Sequence, residues 1–99
     1  MPYRLSRRAA SDLDDIWHYI AVQSGSEALA DRQVDTLVDR FLLLVRHPRL
    51  GRVRDDIGVG RRSFPVGDTL IIYRIVQGDV HILRLVHGRR DLVALFGPD

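Results

Sequence analysis

The chain has no cysteine among its 99 residues. That excludes a disulfide framework and thiolate metal sites, and it suits a reducing compartment. Lysine is also missing: all 15 basic residues are arginine. Arginine stays protonated and makes planar, bidentate contacts, so it binds carboxylate or phosphate well and serves poorly as a general base. Codon composition alone would also give such a bias. No apolar run approaches the ~20 residues of a membrane span, and no long apolar stretch marks a secretory signal near the N-terminus. The chain therefore reads as cytoplasmic, with no membrane partner. Gly58-Val59-Gly60-Arg61-Arg62 lacks the lysine and spacing of a phosphate-binding loop, and there is no serine nucleophile elbow. His18, His47, His81 and His87 have no short ligand spacing, so neither a metal nor a cofactor is expected. Asp14-Asp15 and Asp55-Asp56 read as solvated surface, because adjacent residues do not face each other on a helix.

What is present fits one soluble globular domain over residues 1–99. Hydrophobic residues make up 45% and charged residues 28%, enough for a single modest core. The net charge of +2 is uneven. Residues 1–45 carry five arginines and seven acids, and residues 46–99 carry ten arginines and six acids. The second half thus offers a basic surface to an acidic partner, either nucleic acid or an acidic protein segment.

The pattern along the chain predicts an α+β fold: a first strand, an antiparallel helical hairpin, then a three-stranded meander. Pro2 to Leu5 suits a short strand, and Ser6 a helix N-cap. Leu13, Ile16, Trp17 and Ile20 form one helical stripe that Gly25 ends. Ser26 caps a second helix, striped by Ala30, Val34, Leu37, Phe41 and Leu44 and stopped by Pro48. Trp17 and Phe41 are expected either to fill the core between hairpin and sheet or to meet a partner groove. Residues 49–60 read as a linker with three glycines.

Thr69–Val76 and Val80–His87 are rich in β-branched and aromatic residues, which marks strands. Gly67-Asp68 turns the chain before the first, and Val66 should pair with Thr69. Pro65 then faces Leu70 at an edge, where another chain could add a strand. A three-residue loop, Gln77-Gly78-Asp79, is preferred between the two strands. It puts Arg74 and Arg84 side by side on one face, with His81 and His87 on the other. Arg74, Arg84 and the histidines are the candidates for cleavage of RNA through its 2′-hydroxyl, which needs a base, an acid and cations around one phosphate. Gly88 to Asp91 reads as a turn, and Leu92 to Phe96 as a short helix or tail.

The ordered set, with His47-Pro48-Arg49-Leu50-Gly51-Arg52 before the meander, Tyr73-Arg74-Ile75 within it and Leu83 to Leu92 closing it, resembles the RelE/ParE superfamily of type II toxins. Val86-His87-Gly88-Arg89-Arg90-Asp91-Leu92 is most similar to the ParE branch. The RNA-cleaving branch typically carries lysines and a tyrosine near the C-terminus; here lysine is absent and the last tyrosine is Tyr73. The resemblance implies a non-enzymatic toxin that inhibits DNA gyrase and is neutralised by a ParD-like antitoxin. It implies contact with DNA only through that antitoxin. Trp17, Ile20, Arg61, Arg62 and Phe64 are expected to meet the antitoxin. Arg74, Arg84, His87, Arg89 and Arg90 are expected to meet the target. The alternative is a ribosome-dependent, metal-independent mRNA endonuclease that uses Arg74, Arg84 and His87.

Overall fold

A computed structural model describes residues 2–87. The elements run β1 (Tyr3–Leu5), α1 (Arg7–Ser24), α2 (Glu27–Arg46), β2 (Arg52–Val53), β3 (Arg61–Val66), β4 (Thr69–Val76) and β5 (Asp79–His87). The strands form one five-stranded sheet in the order β1-β5-β4-β3-β2. It is antiparallel except where β1 lies parallel to β5. The expected α+β architecture is present, with β2 as an added strand. The expected terminal helix or tail lies outside the described residues.

Both helices start and stop where the caps demand. The Ser6 hydroxyl accepts the Ala9 N–H at 3.0 Å, and the Ser26 hydroxyl accepts the Leu29 N–H at 3.1 Å. Each satisfies one of the donors a helix leaves open at its start. Gly25 takes the left-handed conformation, φ 68°, that closes α1 and turns the chain into α2. The hairpin packs on one sheet face through Ile16, Leu37, Phe41 and Leu44, which meet Ile71, Tyr73, Val80, Ile82 and Leu85. Tyr3 of β1 meets Phe41 edge to face, with ring centroids 5.2 Å apart. On the opposite face a smaller cluster of Ile57, Ile72 and Val86 pins the 54–60 segment against the strands.

Of the two places expected for Trp17, the core is not the one it takes. It is only half-buried and lies outside the core, and its indole N–H donates to Asp31 of α2 at 2.8 Å. Phe41, by contrast, is fully buried. The difference follows from the polar handle of the indole, which stays near solvent where a partner exists.

The connection read as a linker contains β2, whose Arg52 and Val53 pair with Ser63 and Arg62. The sheet therefore ends on β2 and not on β3. Val66 pairs with Thr69 and Pro65 with Leu70, as expected, on the part of β3 that β2 does not reach.

The β4–β5 register corrects the three-residue loop. Val76 pairs with Asp79, so the loop is Gln77-Gly78, with both residues at positive φ (50° and 84°). That is the two-residue turn whose twist suits a hairpin. Ile75 pairs with Val80, Arg74 with His81 and Tyr73 with Ile82; then the register shifts, and Ile72 pairs with Arg84 and Ile71 with Leu85. The outer half thus has the pairing a three-residue loop would give, and the inner half has the other. The physical reason is core phase. A two-residue loop alone turns Val80 and Ile82 inward and Leu85 outward; a three-residue loop alone does the reverse. A bulge of one extra residue in β5 lets all three face the helices.

Candidate functional site: a basic sheet face and a closed sheet edge

The bulge decides where the basic residues go. Arg74 and Arg84 do not share a row, and arginines and histidines do not separate by face. Arg74 pairs with His81 instead. On the same cross-strand line lie Arg61 of β3 and Arg4 of β1. Side chains alternate along each strand. Tyr3 and Leu5 flank Arg4, Ile75 and Tyr73 flank Arg74, and Val80 and Ile82 flank His81, and all six pack toward the helices. Arg4, His81, Arg74 and Arg61 therefore form a transverse row on the side facing away from the hairpin. Arg4 and Arg74 are exposed, and neither makes a hydrogen bond or ion pair among the described residues. Arg61 is held in part by the Ile57 carbonyl, which accepts from its guanidinium at 3.0 Å.

Arg84 is placed differently. β1 pairs with β5 only through Ile82, so the outer half of β5 lacks a neighbouring strand. The first turns of α1 close that edge. The Ser6 N–H donates to the Ile82 carbonyl at 3.0 Å, and the Ser6 hydroxyl donates to the Leu83 carbonyl at 2.8 Å. Asp12 accepts the Leu85 N–H at 2.9 Å. The same carboxylate takes Nε of Arg84 at 2.8 Å and its Nη2 at 3.2 Å. The hydrogen bond to Asp12 raises the Arg84 pKa above its ordinary value, against the opposing effect of burial. Arg84 is thus a fixed cation on a sheet edge.

His87, at the end of β5, sits with its Nδ1 3.1 Å from the Thr69 hydroxyl and its ring 5.5 Å from that of Tyr19. A cavity of about 430 Å³ lies there between α1 and β5, lined by Asp12, Asp15, Ile16, Tyr19, Arg84 and His87 among others. Arg84, held by Asp12, and His87, at Thr69, share this cavity, while Arg74 lies apart on the open face. Arg89 and Arg90 lie outside the described residues.

The residues expected to meet a protein partner fall in two places. Trp17 and half-buried Ile20 are on α1, with exposed Tyr19 and Val22 beside them. Arg61, Arg62 and Phe64 are on β3, separated from β5 by β4. Arg62 turns to the helix side, where its guanidinium donates to the Gly51 carbonyl at 2.8 Å and to that of Arg49 at 3.3 Å. Phe64 packs on the core.

Sequence reasoning missed Arg4, His81 as the neighbour of Arg74, and Asp12. The available signal was phase: Val80 and Ile82 are even-numbered and Leu85 is odd, so one unbroken strand cannot bury all three.

A two-helix hairpin on one face of a mainly antiparallel sheet, with arginines on the other face, defines a small α+β domain. A chain of the chromosomal ParDE toxin–antitoxin system from P. aeruginosa has this fold. It superposes with a TM-score of 0.77 at 24% identity, covering 90% of this chain and 97% of that one. The family model for the ParE toxin of the type II toxin–antitoxin system parDE matches residues 3–92. Two relatives in Caulobacter vibrioides, Toxin ParE1 and Toxin ParE3, are 38% and 35% identical. Those alignments cover 97% and 93% of this chain, and 98% and 91% of theirs. Toxin ParE1 of Mycobacterium tuberculosis is 29% identical over 91% of this chain and 92% of its own. The chain belongs to the ParE toxin family of type II toxin–antitoxin systems.

Proposed function

We propose that the chain inhibits DNA gyrase in the cytoplasm by binding it, cleaves no RNA, and is neutralised by a ParD-like antitoxin. The observation that carries the reading is the separation of Arg74 from Arg84 and His87, with the Arg84 guanidinium already paired to Asp12. Cleavage through a 2′-hydroxyl needs base, acid and cation at one phosphate, and here Arg84 is already spent on Asp12 and His87 lies at Thr69. Contact with the target falls to the basic residues: Arg74 on the open face, then His87, Arg89 and Arg90 along the chain. Arg84 contributes by holding the edge between them.

For the antitoxin, the hairpin offers half-buried Trp17 beside Asp31 of α2 and, elsewhere on its surface, exposed Tyr19, Val22 and Leu29. An amphipathic segment that folds on contact can lay an apolar face on such residues, and acidic residues on it would suit the basic second half. Arg61, Arg62 and Phe64 would take the far end of a segment long enough to wrap the domain.

Buried tryptophans concentrate binding energy. Trp17→Ala with Ile20→Ala should weaken antitoxin binding at least tenfold, equivalent to about 1.4 kcal/mol or more. Calorimetric titration of the purified pair measures it, with a thermal melt to confirm folding. A folded double variant of unchanged affinity would remove the hairpin from the interface. The same titration on Arg61→Ala with Phe64→Ala tests the β3 contact.

A further inference from the structure

The transverse row of Arg4, His81, Arg74 and Arg61 is not explained by the packing of the domain. Arg4 and Arg74 hold nothing among the described residues, yet both are exposed, Arg4 on the edge strand β1 and Arg74 on the central strand β4. Neighbouring strands lie about 4.8 Å apart, so four residues in one row span roughly 14 Å. Arg52, exposed on β2 and paired with Ser63, continues the positive surface one row away. The acids on this side are Asp79 at the hairpin end, exposed Asp55, whose carboxylate accepts the Gly60 N–H at 3.4 Å, and Asp56, held by Arg54 at 2.9 Å.

We propose that this row is a direct binding site for the phosphodiester backbone of duplex DNA. Arginine forks match phosphate oxygens, and a rigid row wider than one phosphate group favours a polyanion over a single ion. The choice of duplex over single strand rests on what the face lacks. Single-stranded nucleic acid is held by bases stacked on aromatic rings. Among the described residues every phenylalanine, tyrosine and tryptophan lies elsewhere. Tyr3, Phe64 and Tyr73 pack toward the helices, and Trp17, Tyr19 and Phe41 are on them. Backbone contact without base stacking is the mode in which a duplex is bound irrespective of sequence. The site departs from the expectation that DNA is met only through the antitoxin, and it does not rest on the gyrase reading, although it shares Arg74 with the target contact proposed there.

The test uses the full chain free of antitoxin and a fluorescein-labelled 20-base-pair duplex, followed by anisotropy at 50, 100 and 200 mM NaCl. Three phosphate contacts give a slope of log affinity against log salt of about −2.7, which is roughly a 40-fold loss across that range. Arg4→Ala with Arg74→Ala should weaken binding at 100 mM at least tenfold and bring the slope to about −1. Arg4→Lys with Arg74→Lys should keep most of the affinity, since each contact retains its charge. Arg7→Ala with Arg8→Ala removes the same charge from exposed positions on α1 and should change little. The proposal is overturned by any of three results: no duplex binding at 50 mM, an equal loss in both alanine pairs, or tighter binding of a 20-nucleotide single-stranded RNA. All four substituted positions are exposed, so folding is expected to survive, and a thermal melt verifies it.

Discussion

Asp12→Ala is expected to destabilise the domain by roughly 3 kcal/mol, the low end of what breaking a buried ion pair costs. Two losses combine. Arg84 keeps its charge with no carboxylate beside it, and the Leu85 N–H loses its Asp12 acceptor. The side chains of Arg84 and Asp12 are 17% and 14% exposed, so solvent screens the pair only in part. A domain of this size loses about 4–8 °C per kcal/mol, so the melting temperature should fall by about 12–24 °C. Asp12→Leu with Arg84→Met should recover part of that loss, because no buried charge remains. A residue of about 1–2 kcal/mol would persist from the unpaired Leu85 N–H. A loss below about 1 kcal/mol for Asp12→Ala would instead mark the pair as an ordinary surface contact.

Tyr73→Phe is expected to cost about 2–4 kcal/mol, because two backbone groups lose their partner at once. The fully buried phenol donates to the Pro48 carbonyl at 2.7 Å and accepts the Gly51 N–H at 2.8 Å. It thereby ties the end of α2 to the sheet. Gly51 is a glycine for the same reason: a Cβ there would come within 2.6 Å of the ring's Cε1. Burial pushes the Tyr73 pKa above its ordinary value, against the Gly51 hydrogen bond and the nearby Arg62 charge. A raised folded pKa means that the folded state holds its proton more tightly than the unfolded chain. Stability is then fully present below the ordinary tyrosine value near 10 and declines as pH rises from there through the folded value. Tyr73→Phe lacks that term. The gap between wild type and variant in urea melts should therefore stay constant up to about pH 10 and narrow as the pH rises above it. A gap that stays constant throughout would mean that the phenol is solvated in the folded chain.

Local chemistry made much of this fold legible. Ser6, Gly25, Ser26 and Pro48 mark the helix ends because each cap is a short-range event between neighbours in sequence. The Gly67-Asp68 turn and the Val66–Thr69 pairing were legible for the same reason. The β4–β5 register was not, because it depends on which of Val80, Ile82 and Leu85 the helices can bury, and that is decided across the core. The error then propagated to the site. Shifting one residue moved Arg74 beside His81 and released Arg84 to Asp12, a partner 72 positions away. The choice between core and surface for Trp17 stays open in the sequence because a helical stripe gives a direction and not a depth; the Asp31 acceptor on α2 holds the indole near solvent. Arg4 drew no notice because a three-residue strand reveals its neighbour only once the parallel pairing to β5 is known.

The most direct measurement is a supercoiling assay with purified gyrase and relaxed plasmid, run beside a translation reaction in which mRNA integrity is followed. The account predicts that the antitoxin-free chain blocks supercoiling or traps cleaved DNA, that stoichiometric ParD-like antitoxin restores activity, and that mRNA stays intact. Normal supercoiling together with cut mRNA would contradict it and would make Arg74, Arg84 and His87 parts of an active site that assembles only on the ribosome.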